Sequence, residues 1–486
     1  MQRDACRPSP VNDPLHFSVQ AFRLGEGFPW NKPSLIRSNS QSRRHRFSSS
    51  ETVLELLLRW VTLSDLMSAI APPPFLIADP TPQSPEMPAR FGPVCLLLTE
   101  AFPPHAGGSR IYYYNLFRRL ALRSHFAVVV STTTTDGYRS FDIDVNTGYF
   151  TIVRSSSSAG WSMRRLCLLL PALIRAMNLC HQKAVTQLHA GDLFPQGLLC
   201  IALSKLLRIP FIAYAHGEEI TLTDVRRFQP KLRDLIYQQA ALVIAANNFA
   251  HLNLIRIGVR PEKIHTIPPG VDCSRFRPAA PPRDLMCRFG LEGKTVMLSV
   301  GRLVPHKGHE LLLHAMAALP PLAAPLHYLV AGLGPERDRL EALAQRLGLS
   351  GRVTFIGRVQ DAELPTLYNL CTFFALANRE VRGEMEGFGM VFLEANASGK
   401  PVIGGRSGGV EHAVIDRVTG LLFDPSDHAS LSKTLLEMCT DSALRDRLGR
   451  QGRERALRYF SWDQASDNLA SACSAVLADF PRDACL

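Results

Sequence analysis

The chain has 486 residues, 46% of them hydrophobic, which is enough for two cored domains plus an extension. A formal charge of +11 favours an anionic partner, yet no C-x-x-C/H finger or aromatic-rich basic stripe speaks for nucleic acid. The eleven cysteines are scattered without metal-like spacing, as expected of free or buried thiols in a reducing compartment. No apolar run is long and unbroken enough to cross a membrane, and the N-terminus lacks a signal-peptide core.

Residues 1–90 differ from the rest. Ser38–Ser50 is Ser/Arg-rich and Pro72–Pro88 holds seven prolines, so neither stretch can build a core, and a disordered extension is expected. Glu51–Ile70 has the apolar spacing of one isolated helix, and Met87 is a candidate start of the folded part.

From residue 91 a βα alternation begins. Apolar strand-length runs fall at Pro93–Thr99, Phe126–Ser131, Tyr149–Val153, Val185–His189, Phe211–Ala215, Leu242–Ala246 and Lys263–Ile267. The first runs into Gly107-Gly108 ahead of a helix at Arg110–Leu122, where glycine lets backbone approach a ligand or simply makes a tight turn. The fifth runs into His216, at the strand end where open α/β sheets bind ligands. Asp142-Ile-Asp144 has the look of an acidic metal pair but is expected in an isolated loop. Met163–Lys183 carries Arg164, Arg165, Arg175 and Lys183 around Leu166, Leu169, Leu170 and Leu173. It suits an anionic membrane surface or an ordinary core-facing helix, with Pro171 a candidate break.

Pro268–Asp272 and the Pro/Ala-rich Pro278–Pro282 mark a linker, giving domains at 91–270 and 283–459. The alternation restarts with strands at Thr295–Val300, Leu326–Ala331, Val353–Ile356, Phe373–Ala377, Pro401–Ile403 and Gly420–Phe423, helices between them and a last helix at Trp462–Phe480. Gly332-Leu-Gly334 opens like a dinucleotide fingerprint, but Arg337 stands where the third glycine belongs.

Two stretches carry the chemistry. On the loop after Thr295–Val300, Arg302 and Lys307 flank a helix start, and Lys307 there opposes the helix dipole unless a polyanion belongs between them. After Phe373–Ala377, Glu386 precedes a helix at Met390–Ser398 that contains Glu394, roughly 7 Å further along the axis at about 1.5 Å per residue. Alone, that spacing also fits two solvated helix-end charges. With Gly387-Phe388-Gly389 between them, it offers hydroxyl acceptors at both ends and free amides for phosphate in the middle. A nucleotide-sugar has that layout.

Taken with Gly301-Arg302-Leu-Val-Pro-His-Lys307-Gly308, Pro269-Gly270-Val271-Asp272 and Ser407-Gly408-Gly409, the chain from Gly92 on resembles the retaining glycosyltransferases of family 4. It is most similar to the phosphatidylinositol mannosyltransferase-like members and bacterial polysaccharide enzymes. The resemblance implies the α/β GT-B fold, in which two doubly wound Rossmann-like domains face each other across a cleft and the helix at 460–486 returns to the first. It implies transfer of a hexose from a UDP- or GDP-sugar to a lipid-linked or glycan acceptor, without a metal or other cofactor. Arg302 and Lys307 would then bind the diphosphate, Glu386 the sugar hydroxyls and Glu394 the ribose. Gly301 and the backbone of Phe388, Gly389, Met390 and Val391 would line the donor, Gly107 and Gly108 would approach it, and His216 would contact its sugar. Asp192 would face the acceptor. A cytoplasmic protein, peripheral on the inner membrane face, would fit this role. A GT-B sugar-phosphate synthase and a non-catalytic nucleotide-sugar-binding protein are the alternatives.

Overall fold

The computed structural model describes residues 92–104, 107–134, 136–155, 169–221 and 229–480. The chain divides into two units, Met1–Ile77 and Ala78–Leu486, and every described residue belongs to the second. The expected extension, its Glu51–Ile70 helix, and Arg164 and Arg165 lie outside the described residues.

Among the described residues, thirteen strands form two parallel sheets. The first lobe contains β1 (Val94–Leu98), β2 (Ala127–Thr133), β3 (Phe150–Ser155), β4 (Gln187–Ala190), β5 (Phe211–Ala215), β6 (Leu242–Ala245) and β7 (Ile264–Thr266), in the order β3-β2-β1-β4-β5-β6-β7. The second contains β8 (Thr295–Val300), β9 (Leu326–Ala331), β10 (Val353–Gly357), β11 (Phe373–Leu376), β12 (Val402–Gly405) and β13 (Gly420–Phe423), in the order β10-β9-β8-β11-β12-β13. Central strands such as β1, β5, β9 and β11 are buried along their whole length. Helices cover both faces of a parallel sheet, so its strands read as continuous apolar runs rather than alternating ones.

Each sheet reverses its winding once, between β1 and β4 and between β8 and β11. At such a switch point the two adjacent loops leave in opposite directions and open a crevice at the carboxyl ends of the strands. Residues 99–104, 107 and 108 and the stretch Gly191–Gly197 border the first crevice, and Gly301–Gly308 and Asn378–Gly389 border the second. The crevices face each other. The carbonyl of His216, after β5, lies 3.6 Å from where a Cβ on Gly387 would stand, and Met390 Cε lies 3.9 Å from the same point on Gly108.

The chain crosses between lobes twice, and the crossings touch: Val271 N–H donates to the Phe460 carbonyl at 2.7 Å. Beyond it, the helix Trp462–Asp479 lies on the first lobe against the helix Gly108–Arg123. Arg119 and Arg123 pair with Asp463 at 3.0 and 3.1 Å, and Trp462 joins the first lobe's core. Under this helix the buried side chains of Cys95, His189 and Cys473 converge, with their ligating atoms all within 4.8 Å of one another. His189 also holds the Tyr214 hydroxyl at 2.9 Å.

Two expectations change. Asp142 is not in a loop but in the helix Tyr138–Val145, where it pairs with Arg154 at 2.7 Å, so it anchors β3 rather than a metal. Pro171 does not break its helix. It lies within Leu169–Gln182, which is helical on both sides of it. That helix buries Ala176, Met177 and Cys180 and leaves Leu170 and Arg175 exposed.

Candidate active site

The second crevice is held open by close backbone packing that admits only glycine. Gly308 has φ +70°, and a Cβ there would overlap the Ala377 carbonyl at the end of β11. The turn Pro305–Lys307 therefore sits directly against the start of the Asn378–Gly389 loop. The Gly332-Leu333-Gly334 turn has a structural task of the same kind, since side chains at either glycine would overlap the backbone of Gly301 or Leu303. Its Leu333 carbonyl receives the Leu303 N–H at 2.9 Å, which braces the loop bearing Arg302 and Lys307.

On this platform Lys307 Nζ donates to Glu386 Oε2 in a short ion pair, and Asn378 Nδ2 donates to the same oxygen at 2.8 Å. Both charged side chains are largely buried, 14% and 11% exposed, so each is the other's main substitute for water. This reverses one expectation. Lys307 does not stand unpaired against a helix dipole. It ends a short 3-10 turn before Gly308, and Glu386 neutralises it. Arg302 is exposed on the same loop, with no acidic partner among the described residues. The alkyl stem of Lys307 passes 3.8 Å from where a Cβ on Gly301 would stand.

Glu386 is fixed through its backbone as well. Its carbonyl receives the Gly409 N–H at 2.9 Å, and a Cβ on Gly408 or Gly409 would overlap the Glu386 or Gly387 carbonyl. Ser407-Gly408-Gly409 is thus the backrest of the loop. Gly389, at φ +86°, turns the chain into the helix Met390–Ala397, the first amides of which have no acceptor within the helix. Phe388 packs under this turn against His412 and Phe460. Four residues into the helix, Glu394 receives the Tyr368 hydroxyl at 2.7 Å. Burial raises its carboxyl to about 7, ahead of the opposing pull of the Tyr368 hydroxyl, the push of Asp361 and the pull of Arg275.

Across the cleft, His216 is held by its ring and its backbone. The Tyr113 hydroxyl donates its one proton to the Gly191 carbonyl. It can therefore only accept at His216 Nε2, 2.9 Å away, which puts the imidazole proton on Nε2 and the lone pair on Nδ1. Glu219 accepts the His216 and Gly217 amides at 2.6 and 3.2 Å. Burial lowers the pKa of the ring, against the opposite influence of Glu219 and Asp192, so a neutral imidazole faces the cleft. Asp192 accepts from Thr99 Oγ1 at 2.9 Å and from the Glu100 amide at 2.6 Å, fixing the loop that leads to Gly107 and Gly108. Beside it, Gln196 Nε2 approaches Glu100 Oε1 at 3.4 Å. Burial raises the Glu100 pKa, with Gln196 lowering it and Asp192 adding to the rise.

The arrangement brings Arg302, Lys307, Glu386 and the Met390 helix start together at one crevice, with Glu394 behind them. It sets His216, Asp192 and the diglycine on the opposite wall. Asn378, Tyr368 and Tyr113 belong to the site and were not singled out from sequence. Asn378 had a readable signal, a polar residue directly after an apolar strand. The tyrosines read as ordinary core aromatics.

Two facing doubly wound lobes with their charged groups at the switch points define a GT-B glycosyltransferase. The family model for glycosyl transferases group 1 matches residues 288–455 and the model for glycosyltransferase family 4 matches residues 106–275, one on each lobe, and the chain belongs to this family. A GDP-mannose-dependent alpha-(1-6)-phosphatidylinositol monomannoside mannosyltransferase of Mycobacterium tuberculosis is 28% identical over 382 residues, 77% of this chain and 96% of its own. A mannosylfructose-phosphate synthase of Agrobacterium fabrum is 33% identical over 262 residues, 52% of this chain and 56% of its own. Among solved structures, the sucrose-phosphate synthase of Thermosynechococcus elongatus superposes with a TM-score of 0.68 at 25% identity, over 80% of this chain and 100% of that one. An Anabaena protein in complex with UDP and glucose shares the fold, with a TM-score of 0.67 at 21% identity over 79% of this chain and 100% of its own.

Proposed function

We propose that the protein transfers a hexose, with retention of configuration and without a metal ion, from a nucleoside-diphosphate sugar to a hydroxyl of a lipid-linked or glycan acceptor. The observation that carries this reading is the Lys307–Glu386–Asn378 cluster beside the exposed Arg302 and a helix N-terminus. In the ligand-free site Glu386 neutralises Lys307. A diphosphate arriving between Lys307, Arg302 and the Met390 amides takes over that counter-charge. Glu386 is then free to accept hydroxyls of the sugar, steadied by Asn378. Glu394 accepts from the ribose, and the neutral His216 offers Nδ1 to a sugar hydroxyl at the reacting centre.

As the bond from the sugar to phosphate breaks, negative charge grows on the leaving phosphate, where Arg302 and Lys307 stabilise it in place of a divalent ion. The acceptor hydroxyl attacks from the same face and passes its proton to the leaving phosphate oxygen. A GDP-linked mannose is the first donor to test, since the mycobacterial relative is named for that donor.

The acceptor wall favours a neutral hydroxyl compound over a sugar phosphate. Asp192 and Glu100 place two carboxyls there, which repel a phosphate and attract hydroxyl donors. Thermal-shift titration with UDP-, GDP- and ADP-sugars, followed by hydrolysis of the best binder in EDTA, tests the reading. Stabilisation by one nucleotide-sugar and slow hydrolysis in EDTA are expected. Binding without turnover would make the protein a nucleotide-sugar binder, and turnover that requires a divalent ion would remove the assigned role of the two cations.

A further inference from the structure

The two walls of the site belong to different lobes, so chemistry requires their separation to be set. Asn247 lies where they meet. It is fully buried at the end of β6 and caps the helix Asn248–Arg256, its Oδ1 accepting the Ala250 N–H at 2.7 Å. Its amide nitrogen faces the other way. Nδ2 donates to the His216 carbonyl at 3.0 Å and to the Gly387 carbonyl at 2.5 Å.

These two acceptors carry the two sides of the reaction. One is the peptide of the histidine on the first lobe. The other is the peptide next to Glu386 on the second, whose preceding carbonyl is already held by Gly409. A primary amide has two N–H groups, and here each finds one carbonyl. A Cβ on Gly409 would come within 2.9 Å of Nδ2, so the glycine there also keeps the space clear. The next residue adds a second link: the Asn248 N–H donates to His412 Nδ1 at 3.1 Å, again from the first lobe to the second. Burial, followed by the charge of Arg455, pushes His412 down to about 4, which keeps that ring a neutral acceptor at neutral pH.

We infer that Asn247 is a positioning residue for glycosyl transfer: its amide ties His216 to the Glu386 loop and fixes the gap between the two catalytic walls when the lobes close. The inference rests on the proposed function. It differs from a helix-cap role because the cap uses only Oδ1, whereas the inter-lobe bridge uses only the N–H groups. The two roles can be separated by one substitution. Aspartate is as good an N-cap as asparagine but has no proton to give either carbonyl.

The test compares the full chain with Asn247→Asp and Asn247→Ser, using the nucleotide-sugar identified by thermal shift. The diphosphate and ribose groups sit on the second lobe and only His216 of the first lobe meets the donor sugar, so donor KM should change less than about threefold, while kcat falls by about tenfold or more, as misplacement of reacting groups predicts. Both variants keep a cap, but Asn247→Asp also sets a buried carboxylate against two carbonyls and should melt lower, so Asn247→Ser, which adds no charge, is the variant whose melting temperature should stay nearer the parent's. Hydrogen exchange supplies a readout independent of turnover. The Asn248 amide, held only by the inter-lobe contact to His412, should exchange faster in Asn247→Asp, while Ala250, held by the cap, should not. An Asn247→Asp enzyme with parental kcat and parental Asn248 exchange would overturn the inference, as would a kcat loss in Asn247→Ser matched by a general loss of stability. If the parent turned over no nucleotide-sugar, the proposed function would fall, whereas the exchange data would still decide whether Asn247 holds the lobes together.

Discussion

Lys307 and Glu386 illustrate how one contact changes the meaning of a residue. Read alone, Lys307 is a cation at a helix start, and its removal should stabilise the empty protein. Paired with a largely buried carboxylate, it becomes a group whose loss strands a charge. Breaking one side of a buried pair costs about 3–5 kcal/mol. Lys307→Ala should therefore melt below the parent without ligand, and Glu386→Gln added to it should recover part of the loss, as a double-mutant cycle followed by denaturation would report. In turnover, Lys307→Ala should lower kcat by about one to two orders of magnitude, because a charge-assisted contact of roughly 1.5–3 kcal/mol is strongest when the phosphate leaves.

Glu394 makes a separate prediction with pH. Its carboxyl is raised to about 7 in the fold, above an unfolded value near the ordinary 4.5. An acid whose pKa is raised on folding disfavours the native state where it must ionise, so this penalty is absent at low pH and grows as pH rises through the interval between the two values. Glu394→Gln should accordingly melt above the parent at pH 8 and close to it at pH 4. For the donor the sign is opposite. The ribose contact needs the carboxylate, so parental donor KM should rise as pH falls below about 7, and Glu394→Gln should flatten that profile. Identical profiles would dissociate Glu394 from the ribose.

At the scale of elements, strands were legible because burial on both faces leaves no polar gap in their sequences. Val94–Leu98 and Phe373–Leu376 are uninterrupted apolar runs. The helix Tyr138–Val145 was not legible, since it buries only Val145 and owes its place to the Asp142–Arg154 pair across 12 residues of sequence. The site shows the same division. Glu386, Glu394 and the glycine turns lie close together in the chain and read as a motif. Asn247 and Gly387 are 140 residues apart, and nothing local in either stretch announces the other. Asn247 was open to reading only as a helix cap. The turn before the helix His309–Ala317 offers a test of the platform itself. Gly308→Ala places a side chain at φ +70° and into the Ala377 carbonyl. It should destabilise the protein by roughly 1–3 kcal/mol or more and weaken donor binding by shifting Lys307 away from Glu386. Calorimetric donor titration and thermal unfolding check both, and parental values in each would show that the loop tolerates the displacement.

For the whole molecule, the lobes and the returning helix account for the described structure from residue 92 to residue 480. The two family matches span residues 106–275 and 288–455, so neither draws on the first residues. Removal of residues 1–86 should leave the melting temperature and donor binding of the remainder unchanged. An insoluble product, or one that no longer binds donor, would assign that stretch a part in the fold or the site. No helix among the described residues is long and apolar enough to cross a membrane.

The central claim is that the charged crevice of the second lobe activates a nucleotide-sugar for same-face transfer using its own cations. Its most direct test is proton NMR of the anomeric signal as purified protein in EDTA turns over GDP-α-mannose, or whichever α-linked nucleotide-sugar it binds. The account predicts that the α anomer appears first in the transferred or hydrolysed sugar, with the β anomer growing in only by mutarotation of free sugar. A β anomer appearing first, or turnover abolished by EDTA and restored by a divalent ion, would contradict it.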